Sequence, residues 1–192
     1  MKARHLALAL PLAVVAGSAL AHPGHGAAGF ASGFGHPLGG ADHLLAMLAV
    51  GLYAARERGT ARAGVPLAFV AAMLAGAGLS VLGVALPLVE AGIAASVLVL
   101  GLLIAFMVRL PLVASLPLIA GFAVFHGHAH HAEMGDGSVL AFTVGFALAT
   151  AALHGFGYAL ARGLPETGPG RALRRLAGAA VAAAGLVFLG GA

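Results

Sequence analysis

The chain has no cysteine and no tryptophan, and its only lysine is Lys2. Without cysteine there are no disulfides and no thiolate metal sites. Without a lysine beyond position 2 there is no Walker A loop, whose chemistry needs a lysine after its glycines. An ATP-driven step would therefore need a separate subunit. Charge is scarce as well: Asp, Glu, Lys and Arg make up 8% of 192 residues. What fills the chain is hydrocarbon, at 61% hydrophobic residues. No soluble domain of this size needs so much apolar surface, so the class is an all-α integral membrane protein. The formal charge of +4 does not point to nucleic acid, because the arginines lie beside apolar runs.

The first 21 residues read MKARHLALALPLAVVAGSALA. A basic start, an apolar stretch and an Ala-x-Ala end are the layout of a secretory signal peptide. Cleavage after Ala21 makes His22 the mature N-terminus and places it on the periplasmic side of a bacterial inner membrane. The alternative is a retained first helix.

A helix needs about 20 residues to cross the ~30 Å hydrocarbon core. Six candidates follow the signal within residues 22–192, at about 36–55, 65–88, 91–108, 110–128, 138–161 and 172–191. Orientation follows from the basic residues. With His22 outside, the cytoplasmic connections hold Arg56, Arg58 and Arg62, then Arg109, then Arg162, Arg171, Arg174 and Arg175. The external connections hold Glu90, Glu133 and Asp136 and no arginine. This bias supports six spans with both termini periplasmic. Small residues at Ala68, Ala72, Gly76 and Ser80, and at Gly178 and Ala182, predict close helix–helix contacts.

Polar chemistry is concentrated in two places. Residues 36–43 read HPLGGADH, and residues 125–133 read FHGHAHHAE. Counted from Arg56 at about 1.5 Å per residue, His43 lies about 20 Å from the cytoplasmic end of its helix. Counted from Arg109, His126 lies about 25 Å up and His130 about 31 Å. Both clusters therefore reach similar depths on the external side. Asp42 is the carboxylate placed within a span, where an aspartate costs ~2.5–3.5 kcal/mol at a helix centre and normally has a partner. Imidazole with carboxylate and no thiol suits a borderline divalent cation: nickel, cobalt, zinc or copper. Asp42 either ligates directly or holds the ring of a ligating histidine.

His43 and Met47 share a face at i, i+4. His36 joins that face if the helix begins early enough. His126, His130 and Glu133 share a face if the helix continues through Gly127. His128 and His131 are further candidates or loop decoration. His154, about 12 Å from the cytoplasmic end of its helix, is a stepping stone or a packing residue. His22 and His25, in HPGHG, are either a metal-collecting tail or a linker. Met73 is apolar filler on this reading.

Two motifs then resemble a known family. His36, then PLGGA, then Asp42-His43 resembles the H-x5-D-H motif of the HupE/UreJ family of nickel (sometimes cobalt) permeases. Phe125, His126, Gly127, Ala129, His130 and Glu133 resemble its F-H-G-x-A-H-G-x-E motif, with His131 where that pattern has glycine. The resemblance implies a secondary transporter rather than an enzyme, with no permanent cofactor. It implies uptake of Ni2+ or Co2+ as substrate, supplied to hydrogenase or urease maturation proteins or nickel chaperones in the cytoplasm. Other classes fit the residues alone: a membrane haem-b protein, a membrane zinc metallohydrolase, or a metal sensor without flux. One further expectation concerns symmetry. If the six spans divide as an inverted three-plus-three repeat, spans 1 and 4 face each other across a shared site, with His43 and His130 turned inward.

Overall fold

The computed structural model describes residues 29–132 and 138–192. The expected signal peptide and the HPGHG segment lie outside the described residues. Among those residues the chain is helical throughout: α1 Phe30–Gly39, α2 Ala41–Ala54, α3 Ala61–Val81, α4 Val89–Ala105, α5 Leu112–Ala132, α6 Val139–Gly163 and α7 Gly168–Gly191. Four of them, α3, α5, α6 and α7, contain stretches long and apolar enough to cross a membrane. Their outward faces are apolar too. Val113 is 83% exposed, Leu140 74% and Val187 72%. Exposed apolar side chains on long apolar helices suit contact with lipid, and the protein is a helical membrane protein.

The first expected span, 36–55, is not one helix. It breaks at Gly40, which takes an extended conformation (φ −105°, ψ 125°) between α1 and α2. The cause is local: Gly39 and Gly40 carry the weakest helix preference short of proline. Asp42 then falls in the first turn of a new helix, where the macrodipole favours an acid. The helix also starts earlier than expected, at Phe30. The second span ends at Val81 rather than 88, because Gly83 turns to φ +74° and Leu88 to φ +56° before α4 begins. The fourth runs on through Gly127 to Ala132 instead of stopping at 128. The other boundaries move by a few residues.

Glycine sets the crossings. A methyl group on Gly127 would overlap the backbone of Met73, and one on Gly76 would overlap the Val124 carbonyl, so α5 and α3 touch backbone to backbone. Gly51 and Gly157 do the same for α2 and α6, and Gly33 and Gly145 for α1 and α6. Along α6 the α1 crossing comes first and the α2 crossing later, so α1 and α2 descend together beside α6 in the same direction. α4 and α7 are antiparallel, with Gly101 on Ala182, Gly178 on Ala105 and Gly185 on Leu98. Of the expected small-residue contacts, Gly76, Gly178 and Ala182 lie at these crossings.

One end of the bundle is held by arginine. Arg56 Nη1 donates to the carbonyls of Leu103 (3.2 Å) and Val108 (3.5 Å), and Arg175 Nε to that of Ala105 (3.1 Å). Arg174 Nη2 donates to the carbonyls of Ala161 and Leu164, both at 2.7 Å. The last carbonyls of a helix lack partners and carry negative partial charge, so guanidinium groups fit there. Seven arginines surround a cavity of about 470 Å³ at this end.

Candidate functional site

Away from the arginine end, where α1 gives way to α2, four imidazoles meet. The break at Gly40 separates His36 on α1 from His43 on α2, so the two do not share a helical face. They meet through α5 instead. The ring of His130 lies 4.5 Å from that of His36 and 4.3 Å from that of His43, centroid to centroid. His43 and His126 are 4.7 Å apart, edge to face. The continuation of α5 through Gly127 puts His126 and His130 on one face, one turn apart. Phe146 of α6 lies against His130, with centroids 3.9 Å apart.

Each of two rings has one nitrogen committed and one bare. Asp42 Oδ1 stands 2.9 Å from His43 Nδ1 and also accepts from the His43 backbone N–H at 2.7 Å. A carboxylate only accepts, so His43 Nδ1 carries the hydrogen. His43 Nε2 is then a lone pair, buried and without a hydrogen-bond partner among the described residues. On α5, His126 Nε2 stands 2.8 Å from Ser96 Oγ of α4. The serine hydroxyl has one hydrogen, and the Ile93 carbonyl 2.6 Å away takes it. His126 Nε2–H therefore donates to Ser96, and His126 Nδ1 is the bare nitrogen, again buried and without a hydrogen-bond partner among the described residues. This assigns the tautomers of both rings from their neighbours. Fixing one imidazole nitrogen as a donor is how proteins raise the basicity and fix the direction of the other toward a metal.

Among the described residues, no three histidine or carboxylate side chains already stand in metal-binding geometry. The rings pack edge-on or tilted against one another rather than open on a common point. Holding one ion together would require a change of side-chain torsion at one or more of them.

The remaining candidates are placed as follows. Glu133, His22 and His25 lie outside the described residues, and His131 falls in the last turn of α5. His128 Nε2–H donates to the Val84 carbonyl at 2.8 Å, which ties α5 to the segment between α3 and α4. Met47 is fully buried in the core, one turn along α2 from His43. His154 on α6 is 3% exposed and lies below the ring group, edge-on to Phe69 at 5.1 Å. Ser96 and Phe69 were not anticipated. For Ser96 a signal exists: it is the lone hydroxyl in the run IAASVLVL, and a polar atom at mid-span needs a partner. For Phe69 there is none, since an aromatic residue in an apolar run reads as core.

A family model described as HupE / UreJ protein matches residues 10–188. Protein HupE of Rhizobium leguminosarum bv. viciae is 43% identical over 186 residues, covering 96% of this chain and 94% of that protein. No solved structure matches the chain.

Proposed function

The chain belongs to the HupE/UreJ family, and on that premise we propose that it is a permease that carries Ni2+, or Co2+, from periplasm to cytoplasm. In this reading it supplies hydrogenase or urease maturation. α1 and α2 together form one broken span, giving six spans with both termini periplasmic after removal of a signal peptide. The gathering of arginines at one end supports this orientation.

The observation that carries the function is the pair of bare nitrogens. His43 Nε2 and His126 Nδ1 are buried lone pairs on rings 4.7 Å apart, each ring fixed from behind by Asp42 or Ser96. Buried polar atoms without partners are costly, at about 1–3 kcal/mol each. A transition-metal cation that accepts both lone pairs offsets that cost. His36 and His130 adjoin the pair, and Glu133 follows His130 by three residues. We assign these six, Asp42 included, to the outer metal site. Met47, His128, His131 and the tail histidines His22 and His25 are its further candidate contacts. The helix break serves the same end, because irregular backbone at membrane depth is tolerated where it lines a site.

Transport needs no ATP on this account. Two charges crossing 100 mV gain about 4.6 kcal/mol, enough for roughly a thousandfold accumulation at about 1.4 kcal/mol per decade. The haem alternative fits poorly, because the rings lie edge-on with centroids under 5 Å apart and no porphyrin slot between them.

The test is uptake of labelled nickel by cells that lack their own nickel importers. Wild type is compared with Asp42→Asn and His43→Ala at matched membrane expression, with cobalt, zinc and copper as competitors. Uptake by the wild type that both substitutions abolish is the expected result. A well-expressed wild type without uptake refutes the permease.

A further inference from the structure

We infer that His154 is a second, inner metal station, reached from the outer imidazoles past the Met73 thioether, the Thr150 hydroxyl and the ring of Phe69. The inference rests on the permease reading above and names the next stop of the same ion.

Three observations carry it. The first is the state of His154. It is 3% exposed, and among the described residues neither ring nitrogen has a hydrogen-bond partner. Retaining an imidazole there costs stability that a phenylalanine of similar size would not.

The second is the position of Phe69. It is fully buried, with its ring 5.6 Å from that of His126 on one side and 5.1 Å from that of His154 on the other. A single aromatic side chain thus separates an outer metal-binding nitrogen from an inner one. On this inference a change of the Phe69 side-chain torsion opens the way between them.

The third is the face of α6 that carries Thr150 and His154. Phe146, Thr150 and His154 recur every fourth residue and so share one face. Thr150 Oγ1 donates to Met73 Sδ of α3 at 3.6 Å. Met73 and Phe69 are also one turn apart, so the two antiparallel helices make two rungs, Met73–Thr150 and Phe69–His154. An ion moving inward from His126 meets a thioether and a hydroxyl oxygen on the outer side of the Phe69 ring, then the imidazole of His154 at its level, and among the described residues no carboxylate. That set suits a borderline cation over magnesium or calcium. It also binds weakly enough to release, which conduction requires. Below His154, a cavity of about 340 Å³ between α2, α3 and α6 extends to Arg62, at the arginine end of the bundle.

The test uses the full-length protein purified and reconstituted in liposomes that enclose a nickel-quenched dye. Nickel binding at equilibrium is measured on the same preparations. His154→Phe is expected to keep wild-type nickel binding at the outer site, to melt no lower than wild type, and to slow nickel entry at least tenfold. Phe69→Ala, which removes the gate, is expected to speed entry several-fold. A transporting wild type with a His154→Phe variant within twofold of its rate overturns the inner station alone. A wild type that carries no nickel overturns the permease reading and the station with it. If His154→Phe fails to bind nickel, His154→Gln and Met73→Leu replace it. Entry slowed at least tenfold in the first and several-fold in the second supports the station, and smaller losses in both overturn it.

Discussion

Ser96→Ala isolates the tautomer argument, because serine has no place in any metal motif and the change removes a single oxygen. In the wild type, that oxygen is fully buried and is the acceptor for His126 Nε2–H at 2.8 Å. Its own hydrogen is spent on the Ile93 carbonyl. Without it, His126 has two options. It keeps Nε2–H as a buried donor with no partner, at about 1–3 kcal/mol. Or the proton moves to Nδ1, which occupies the nitrogen assigned to the metal. Either way the bare Nδ1 is no longer held in place. Loss of such a supporting group costs about 10–100-fold in metal affinity, which is about 1.4–2.8 kcal/mol. The assay is nickel binding to the purified protein, paired with uptake at matched expression. Ser96→Thr restores the hydroxyl and should recover most of the affinity. Wild-type nickel affinity in Ser96→Ala would refute the assignment of His126 Nδ1 as a ligand.

Other expectations are simpler. Asp42→Asn keeps an acceptor for His43 Nδ1–H but removes the charge 2.9 Å away; nickel affinity should fall about 10–100-fold with the far-ultraviolet circular dichroism unchanged. Gly127→Ala places a methyl group on the Met73 backbone, which cannot step aside; overpacking of this kind costs about 1–3 kcal/mol, read as a lower melting temperature in detergent and less protein in the membrane. Arg174→Met removes two hydrogen bonds from a charged donor to the Ala161 and Leu164 carbonyls, each worth about 1.5–3 kcal/mol; the variant should melt lower while nickel affinity, set at the far end of the bundle, stays as in wild type.

Composition and the basic-residue bias made the membrane class legible in the sequence, because both are sums over many residues and tolerate local error. The break at Gly40 was written there as well, in Gly39-Gly40 followed by Asp42. It is masked because residues 36–55 satisfy the length of a span. A span read as one helix joins His36 and His43 along it, whereas His130 of α5 joins them across a gap. The spacing of His126 and His130 survived because α5 does not stop at Gly127. There the glycine serves tertiary contact with Met73 rather than ending the helix. Ser96, Phe69 and the Met73–Thr150 contact were not legible, since each gains meaning from a residue far away in sequence. Met73 read as filler, and its thioether accepts from a hydroxyl 77 positions on.

The crossings bear on how such a site is built and how it opens. With α1 and α2 counted as one span, the close pairs are span 1 with span 5 through Gly51 and Gly157, and span 4 with span 2 through Gly127 and Gly76. Exchanging the two halves, so that 1 becomes 4 and 2 becomes 5, turns one pair into the other. The remaining close pair, span 3 with span 6, maps onto itself and must then be antiparallel, as α4 and α7 are. His43 and His130, on the exchanged spans, are 4.3 Å apart. An inverted repeat requires all of these relations. None needs sequence similarity between the halves, because what is repeated is a glycine at each crossing and a histidine facing the axis. The rigid units that result are the glycine-locked pairs, 1 with 5 and 4 with 2. Motion between them would part His43 from His130 while leaving Asp42 on His43 and Met73 on Gly127. On the proposed function the candidate ligands come from both sides of that seam, so an ion bound between them would hold the outer side closed, and its passage beyond Phe69 would release it.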